Sequence, residues 1–423
     1  MKTIVVAGAM LAGSVFAAVP VIDPASISAR QDGDHTVVIG YTMNPATDGD
    51  TDPAIITVDV LTNYTENAEV KWASIGGEHF TTLTGDVNKV IAHTVDYKHN
   101  ILWDPTKEDL PYLRFNANEI KVEITAWATN SPPAYWIIDL AHPDDRSYDC
   151  YYPNAEQIPL TVTNILYKTD RLVFRRIPGK GVTWKMGSTE TAGNYRYHYV
   201  TFSYDYWMAI YEMTNSQYSK LKESTSNNAL PAVNNIEMWR GTPTGTSSYN
   251  WPSNGHESVY YAMKDIRKKL GGIMVDLPTH SEWEFACRAG SSTKYCNGDT
   301  EADLAKVAWY GGNATEVQEV GTKEPNAWGM YDMHGNVAEW TLDKCTKLPA
   351  DPVWDPTGPM QDDADTGNTG SYKNRVIAAC GGGTRATASY SGEIDANKCA
   401  SGTGKGLLTG EGSCAARLTI PIQ

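Results

Sequence analysis

Apolar and polar positions alternate with a period of two between about residues 26 and 128, and turn-forming residues separate the alternating runs. This alternation is typical of β-strands that bury one face against a core. The clearest runs cover residues 35–42, 55–61, 100–103 and 119–127. Because no part of this region has convincing helical periodicity, the pattern predicts an antiparallel β-sandwich over residues 19–130.

Several short strands at this spacing are typical of immunoglobulin-like and fibronectin type III domains, so we expect a sandwich of that kind. Ser131-Pro132-Pro133 then ends the alternating pattern. The segment that follows is rich in proline and tyrosine, and proline stiffens a connecting segment by restricting its backbone. We therefore predict a stiff linker over residues 131–167.

The remaining residues, 168–423, mix strand and helix patterns. Strands are predicted at residues 172–177 and 199–211, and helices at residues 215–222, 257–270 and 281–288. Beyond residue 290, glycine, asparagine and short strand patterns dominate. We therefore predict an α+β protein whose second domain has little regular secondary structure.

The helix predicted at residues 281–288 carries two local signals. Thr279 precedes it and Glu282 follows three residues later, which is the pattern of a capping box. Glu284 and Arg288 are four residues apart, a spacing at which opposite charges on a helix form a pair. We predict that they form a surface salt bridge rather than part of a catalytic site.

Composition and charge narrow the classes of partner. The chain has 35 Lys plus Arg against 50 Asp plus Glu, a formal charge of −15, without a basic block. Nucleic acid and anionic membrane surfaces are therefore not expected partners. Tyrosine and tryptophan number 24 and 13 against 6 phenylalanines, and aromatic rings with polar groups suit surfaces that contact ligands. The candidate binding residues are Trp239, Trp251, Tyr260 and Tyr261.

Residues 1–18 combine Lys2, an apolar run from Ile4 to Leu11 and small residues near Ala17. This is the pattern of a secretory signal peptide, and the apolar run is too short to span a bilayer. We therefore expect an exported protein, periplasmic or extracellular, that is not an integral membrane protein. Its 7 cysteines are an odd number, so at least one has no partner within the chain.

Four longer motifs follow one another in the second half of the chain. They are VTWKMGS at residues 182–188, YEMTNSQY at 211–218, LPTHSEWEFACRAG at 277–290 and NAWGMYDMHGNVAEW at 326–340. Together they resemble the formylglycine-generating enzyme, or sulfatase-modifying factor, family. The resemblance covers residues 168–423 and implies a C-type lectin-like fold, rich in tryptophan and glycine and commonly stabilised by calcium.

The segment DMHGNVAEW contains oxygen ligands that suit a hard cation. Asp332 and Glu339 carry carboxylates, and the turn between them can direct backbone carbonyls inwards, a ligand set that Ca²⁺ prefers. The resemblance implies that calcium binds the side chains of Asp332 and Glu339 and the carbonyls of Gly335 and Val337. The alternative is that Asp332 caps a turn and Glu339 pairs with a buried arginine.

The catalytic pattern of the family is missing. Active members oxidise a substrate cysteine to formylglycine with copper held by two cysteines that follow a glycine-rich strand, and thiolates are the ligands that Cu(I) prefers. Aligning the glycines of residues 375–384 (RVIAACGGGT) places these positions at Ala386 and Ser391, so copper is not expected. Cys380 and Cys399 lie nearby, which leaves a rearranged copper site as an alternative.

These observations favour a secreted, non-catalytic protein that acts in extracellular binding or in self-assembly, as the subunit of an oligomer or filament. One alternative is a copper-dependent, formylglycine-generating oxidase that acts on secreted sulfatases. Another is a lectin-like module that binds glycans. The expected partners are therefore further copies of the chain, a glycan or a secreted protein.

Overall fold

The computed structural model divides the chain into two compact units. The first comprises residues 1–138 and 146–164, and the second comprises residues 139–145 and 165–423. The structure describes residues 20–32, 35–45, 52–94, 96–108, 119–186, 198–222, 257–310, 312–314, 317–344, 353–356, 375–378, 391–394 and 414–422. Within these ranges, no helix is both long enough and apolar enough to cross a membrane.

The first unit consists of strands joined by turns and by single turns of 3₁₀ helix. Its strands are β1 (Val21–Ile22), β2 (Ser28–Gln31), β3 (Val37–Asn44), β4 (Ala54–Glu66), β5 (Glu69–Ser74), β6 (Thr84–Gly85), β7 (Lys89–Ile91), β8 (Lys98–Trp103), β9 (Ile120–Ala128), β10 (Tyr135–Asp139) and β11 (Cys150–Tyr152). The 3₁₀ turns are Pro24–Ser26, Gly77–His79, Pro105–Lys107, Arg146–Tyr148 and Ala155–Gln157. The last residue of β10 belongs to the second unit.

Two antiparallel sheets of the first unit share one hydrophobic core. In one sheet β3 pairs with β1, β2 and β8, and β8 pairs with β6. In the other sheet β4 pairs with β5, β7 and β9. Alternate residues of β3 and β4 enter the core, namely Ile39, Tyr41, Met43, Ile56, Val58 and Val60. The predicted period-two pattern is present because each of these strands buries one face.

The segment predicted as a linker supplies secondary structure to the first unit. Strands β10 and β11 pair with each other, and the Trp136 ring stacks on Tyr151 with centroids 5.9 Å apart. The Tyr151 N–H donates to the Asn88 carbonyl at 2.8 Å. A Cβ on Gly77 would lie only 2.2 Å from the carbonyl carbon of Gln157. Residues 146–164 therefore pack closely against the two sheets.

The second unit mixes short helices with small sheets. Its strands are β12 (Arg171–Ile177), β13 (Thr183–Met186), β14 (His198–Thr201), β15 (Tyr206–Ala209), β16 (Ala338–Lys344), β17 (Val353–Trp354), β18 (Arg375–Ala378), β19 (Ser391–Ile394), β20 (Cys414–Ala415) and β21 (Thr419–Pro421). Its helices are α1 (Leu166–Thr169), α2 (Asn215–Leu221), α3 (Glu257–Lys269), α4 (His280–Arg288) and α5 (Glu301–Val307). Together the two units make an α+β protein, as predicted.

The single strand predicted at residues 199–211 is wrong, because the chain changes sheet there. Strand β14 pairs with β13 and lies parallel to β17, whereas β15 lies between β12 and β21. Between them, the backbone N–H of Ser203 donates to the Asp355 carboxylate at 2.6 Å. This contact stabilises the bend between β14 and β15. The hydrophobic pattern does not reveal the bend and therefore predicted a single strand.

Helix α4 begins with the predicted capping box. The Glu282 N–H donates to Thr279 Oγ1 at 3.2 Å, and the Thr279 N–H donates to Glu282 Oε2 at 2.8 Å. The predicted pair of Glu284 and Arg288 also forms, with 2.8 Å between Nε and Oε1. It is not a surface pair, however, because Glu284 is completely buried. Helix α4 packs against neighbours on several faces, which its local sequence spacing does not reveal.

Replacing Thr279 by Ala should lower the free energy of unfolding by about 1–2 kcal/mol, because it leaves the buried N–H of Glu282 without its acceptor. Thr300 caps the more exposed helix α5 with the same box geometry, so Thr300→Ala is the matched control and should cost less. Urea unfolding of both variants measures the difference. An equal or smaller loss for Thr279→Ala would contradict this account of α4.

Candidate functional site

The second unit buries a group of charged and polar side chains that we call the polar centre. Its members are Glu212, Asp332, Asn336, Glu339 and Arg417, each at most 1% exposed. A buried charge is costly unless it is paired and hydrogen-bonded. The contacts of these five side chains therefore decide what the polar centre can do.

The guanidinium of Arg417 lies in the middle of the polar centre and pairs with Glu339. Its Nε is 3.1 and 2.9 Å from Oε1 and Oε2 of Glu339, and its Nη2 is 2.7 Å from Oε1. The guanidinium also donates to two backbone carbonyls: Nη1 donates to that of Ala209 and Nη2 to that of Tyr331. This is a closed arrangement of ionic and backbone hydrogen bonds.

Three elements hold this ion pair in place. Glu339 belongs to β16, and the parallel pairing of β16 with β20 sets it opposite Ala415, two residues before Arg417. From helix α4, the indole Nε1 of the fully buried Trp283 donates to Glu339 Oε2 at 2.7 Å. The capping box of α4 therefore also serves the polar centre, because the start of the helix determines where Trp283 points.

Glu212 connects the polar centre to the segment before β16. Its Oε2 accepts a hydrogen bond from Asn336 Nδ2 at 2.8 Å, and its Oε1 accepts one from the Val337 N–H at 3.2 Å. Asn336 also accepts from the Gln318 N–H at 2.9 Å. Asn336 has a left-handed backbone, with φ of 65°, a conformation that asparagine tolerates better than most residues. These bonds shape residues 332–337 into a tight turn.

Asp332 caps a neighbouring turn. Its Oδ2 accepts from the Gly321 N–H at 2.7 Å, whereas its buried Oδ1 has no hydrogen-bond partner among the described residues. Gly321 has φ of 66°, and a Cβ there would lie 2.3 Å from Cε1 of Tyr211. Only glycine fits at this close approach to Tyr211. The position of the Gly321 N–H that donates to Asp332 is therefore closely constrained.

Burial and mutual repulsion change the acidity of the polar centre. Removal from water raises the pKa of Glu212 well above its ordinary value, and the nearby Asp332 and Glu339 raise it further. Burial likewise raises the pKa of Asp332. Burial would lower the pKa of Arg417, but the surrounding carboxylates, led by Glu339, raise it above its ordinary value. The guanidinium is therefore the permanent positive charge around which the acids are arranged.

The four predicted calcium ligands lie close together, but they differ in how well they fit a cation. Asp332 has a free carboxylate oxygen, which a cation can use, whereas both oxygens of Glu339 pair with Arg417. Val337 and Gly335 lie in the turn that Glu212 and Asn336 support. Within the described residues, no three His, Cys, Asp or Glu side chains could jointly hold a metal ion. Within the predicted set, Asp332 therefore has a carboxylate oxygen available to a cation, whereas Glu339 is engaged with Arg417.

A thiol and imidazole cluster lies beside the polar centre. Cys287 Sγ is 3.5 Å from the Met333 carbonyl oxygen and 3.7 Å from Nε2 of His334. That Nε2 also accepts a hydrogen bond from the Cys296 N–H at 2.9 Å. Burial raises the pKa of Cys287 well above its ordinary value and that of Cys296 to about 12. Both groups therefore lack the lowered pKa that is typical of a reactive, nucleophilic cysteine.

The positions predicted for the missing copper ligands are only partly described. Ser391 is the first residue of β19 and pairs with Ala378 of β18, while Ala386 lies outside the described residues. Cys380 and Cys399 of the alternative copper site also lie outside them. Among the candidate binding residues, Tyr260 and Tyr261 belong to α3, and Trp239 and Trp251 lie outside the described residues.

Sequence reasoning missed Glu212 and Arg417 as members of the polar centre. Each is a single charge within an apolar run, Tyr211-Glu212-Met213 and Ala416-Arg417-Leu418. A lone charge in such a run is a signal of burial with a partner, and these two charges have opposite signs. Rules based on residue spacing do not connect them, because more than 200 residues separate them in the chain.

All four sequence motifs lie within the match to a single protein family. Residues 177–405 match the model of the sulfatase-modifying factor enzyme 1-like domain, which is more than half of the 423 residues. The chain belongs to the sulfatase-modifying factor family. The resemblance predicted from the four motifs is thereby confirmed, and four members of the polar centre lie within the matched residues, namely Glu212, Asp332, Asn336 and Glu339.

Characterised relatives of this sulfatase-modifying factor domain include two formylglycine-generating enzymes. The one from Mycobacterium tuberculosis is 35% identical over 115 residues, which cover 24% of this chain and 38% of that enzyme. The one from Mus musculus is 27% identical over 148 residues, which cover 32% of this chain and 40% of that enzyme. The chain thus spans less than half the length of either relative.

The chain also has a similarity to a solved structure. Treponema denticola variable protein 1 has a TM-score of 0.42 and 21% sequence identity with this chain. The alignment covers 59% of this chain and 95% of that one.

Replacing Arg417 by Met should lower the free energy of unfolding by about 3–5 kcal/mol, because it leaves buried carboxylates without their counter-charge. Adding Glu339→Gln to that variant should recover part of the loss. Arg267→Met is the control, since its pair with Asp276 is partly exposed and should contribute at most about 1 kcal/mol. Chemical denaturation measures the free energy of unfolding of all three variants. Similar losses for Arg417→Met and Arg267→Met would exclude a central role for the buried pair.

Proposed function

We propose that this chain is an exported, non-catalytic member of the sulfatase-modifying factor family that acts by binding or by self-association outside the cell. The observation that carries the proposal is Ser391, which stands where the family places a copper-binding cysteine and begins strand β19. A serine hydroxyl does not provide the soft thiolate that Cu(I) requires. The sequence of residues 1–18 supports export.

The chemistry of the described thiols supports the same proposal. Cys287 is completely buried, and burial raises the pKa values of both Cys287 and Cys296. A catalytic cysteine needs a lowered pKa and an electropositive, accessible environment. The polar centre is equally unsuited to turnover, because its charges are buried and engaged with one another.

We further propose that the first unit is an immunoglobulin-like or fibronectin type III sandwich and that the second unit has the C-type lectin-like fold. Two antiparallel sheets around one core support the first assignment. Membership of the family supports the second. Both architectures present loops on a rigid scaffold, which is a common basis for binding without catalysis.

Calcium remains a proposal for this domain, with Asp332 and the carbonyls of Gly335 and Val337 as its holders and Glu339 committed to Arg417. If calcium binds there, chelation should lower the melting temperature by about 3 °C or more, because a ligand that binds the folded state stabilises it. Asp332→Ala should abolish this sensitivity, whereas Glu324→Ala, which removes an exposed carboxylate of the same segment, should retain it. An unchanged melting temperature on chelation would exclude this calcium site.

The proposed function predicts no oxidation of a Cys-x-Pro-x-Arg peptide by the purified, exported protein supplied with copper and oxygen. In its self-association form it also predicts oligomers, seen as a mass that rises with concentration in sedimentation velocity. Formylglycine production with stoichiometric, cysteine-bound Cu(I) would establish the oxidase instead. A strictly monomeric protein that is retained by a glycan array would establish the lectin-like alternative.

A further inference from the structure

We propose that the hairpin formed by β4 and β5 is the surface through which two copies of this chain associate. In this arrangement the outer edges of two β5 strands pair in antiparallel orientation about a two-fold axis. The inference rests on the proposed self-association and names the surface that would carry it. Isologous pairing of one edge with itself is the simplest route to a symmetric dimer.

The hairpin extends beyond the sheet from which it arises. Strand β4 runs from Ala54 to Glu66, but its pairing with β9 ends at Thr62. Asn63 still donates its N–H to the Glu119 carbonyl at 3.2 Å, and beyond it the partner of β4 within the described residues is β5. Among the residues that the structure describes, β5 is the last strand on its side of the sheet. The edge of β5 therefore offers backbone N–H and C=O groups to another strand.

The turn determines which backbone groups point outwards. Asn67 and Ala68, the two residues between the strands, have φ of 52° and 66°, as in a two-residue type I′ turn. Glu66 and Glu69 are then the hydrogen-bonded pair that closes the hairpin, and hydrogen-bonded pairs alternate along the ladder. Glu69 and Lys71 consequently direct their backbone groups towards β4, whereas Val70 and Trp72 direct theirs to the open edge.

Large apolar side chains are exposed on this hairpin. Val70 is 64% exposed, Tyr64 is 48% exposed and Trp72 is 39% exposed. Soluble proteins commonly protect an open edge with charge, proline or a bulge, because an apolar edge invites pairing with another chain. Of these devices, β5 has the charges of Glu69 and Lys71. The charges of Glu69 and Lys71 therefore determine which strand can pair with the open edge of β5.

The charge pattern of β5 is complementary to itself. Lys71 pairs with Glu66 within the hairpin, whereas Glu69 is exposed and has no ion pair within the described residues. When Val70 of one copy faces Val70 of the other, Glu69 of each copy lies opposite Lys71 of its counterpart. Sliding one strand by two residues keeps the same backbone groups facing each other and sets Lys71 opposite Lys71. Repulsion between these like charges disfavours that register. Among the registers that use these outward-facing backbone groups, the one with Val70 opposite Val70 is the one that places Glu69 opposite Lys71, so charge complementarity favours it.

Charge reversal tests this pairing in the full-length protein. Glu69→Lys and Lys71→Glu each place like charges opposite each other, so each should weaken dimerisation at least about tenfold in sedimentation velocity. The double variant restores both cross-strand pairs and should associate like the wild type. An equimolar mixture of the two single variants should also associate, because all the lysines then face glutamates. Glu78→Lys, an exposed reversal in the same unit, is the matched control and should have no effect.

The outcomes separate this inference from the proposed function. If the wild type associates and both single variants associate equally well, the hairpin is not the interface, although self-association stands. If the single variants are monomeric and their mixture remains so, antiparallel pairing of β5 is wrong. A wild type that stays monomeric at every concentration overturns both the inference and the self-association. Circular dichroism of each variant shows whether its loss of association comes from unfolding, and the mixture is the decisive measurement for any variant with altered stability.

Discussion

The second unit depends on one buried interaction, the ion pair between Arg417 and Glu339. It connects a residue near the end of the chain to a strand that precedes it by 78 residues. Trp283 of helix α4 and the backbone of Ala209 and Tyr331 complete its hydrogen bonds. Because a buried charge without a partner is so costly, each of these elements has to be in position before the others are stable.

The same interaction organises the other members of the polar centre. Its charges are engaged with one another and with backbone, and no member is more than 1% exposed. The domain has kept the motifs that build this centre and has serine where a copper-binding cysteine is expected.

Local sequence signals predicted local structure well. The period-two runs located β3, β4, β8 and β9, and the Thr279 and Glu282 signal located the start of α4. Such signals work because strand alternation and helix capping depend on residues a few positions apart. They failed where the environment comes from distant residues. The bend between β14 and β15 depends on Asp355, and Glu284 is buried by packing around the whole of α4.

Sequence by itself determined the family, the α+β class, the alternating strands of the first unit and the absence of thiolate ligands at Ala386 and Ser391. Each of these follows from residue identity or short-range spacing. Tertiary structure alone decided that Glu212, Asp332 and Glu339 surround Arg417, that Glu339 is an ion-pair partner, and that β5 forms a sheet edge. The physical reason is that pairing, burial and acidity depend on which distant segments meet in the folded protein. The spacing of residues along the chain does not reveal which segments those are.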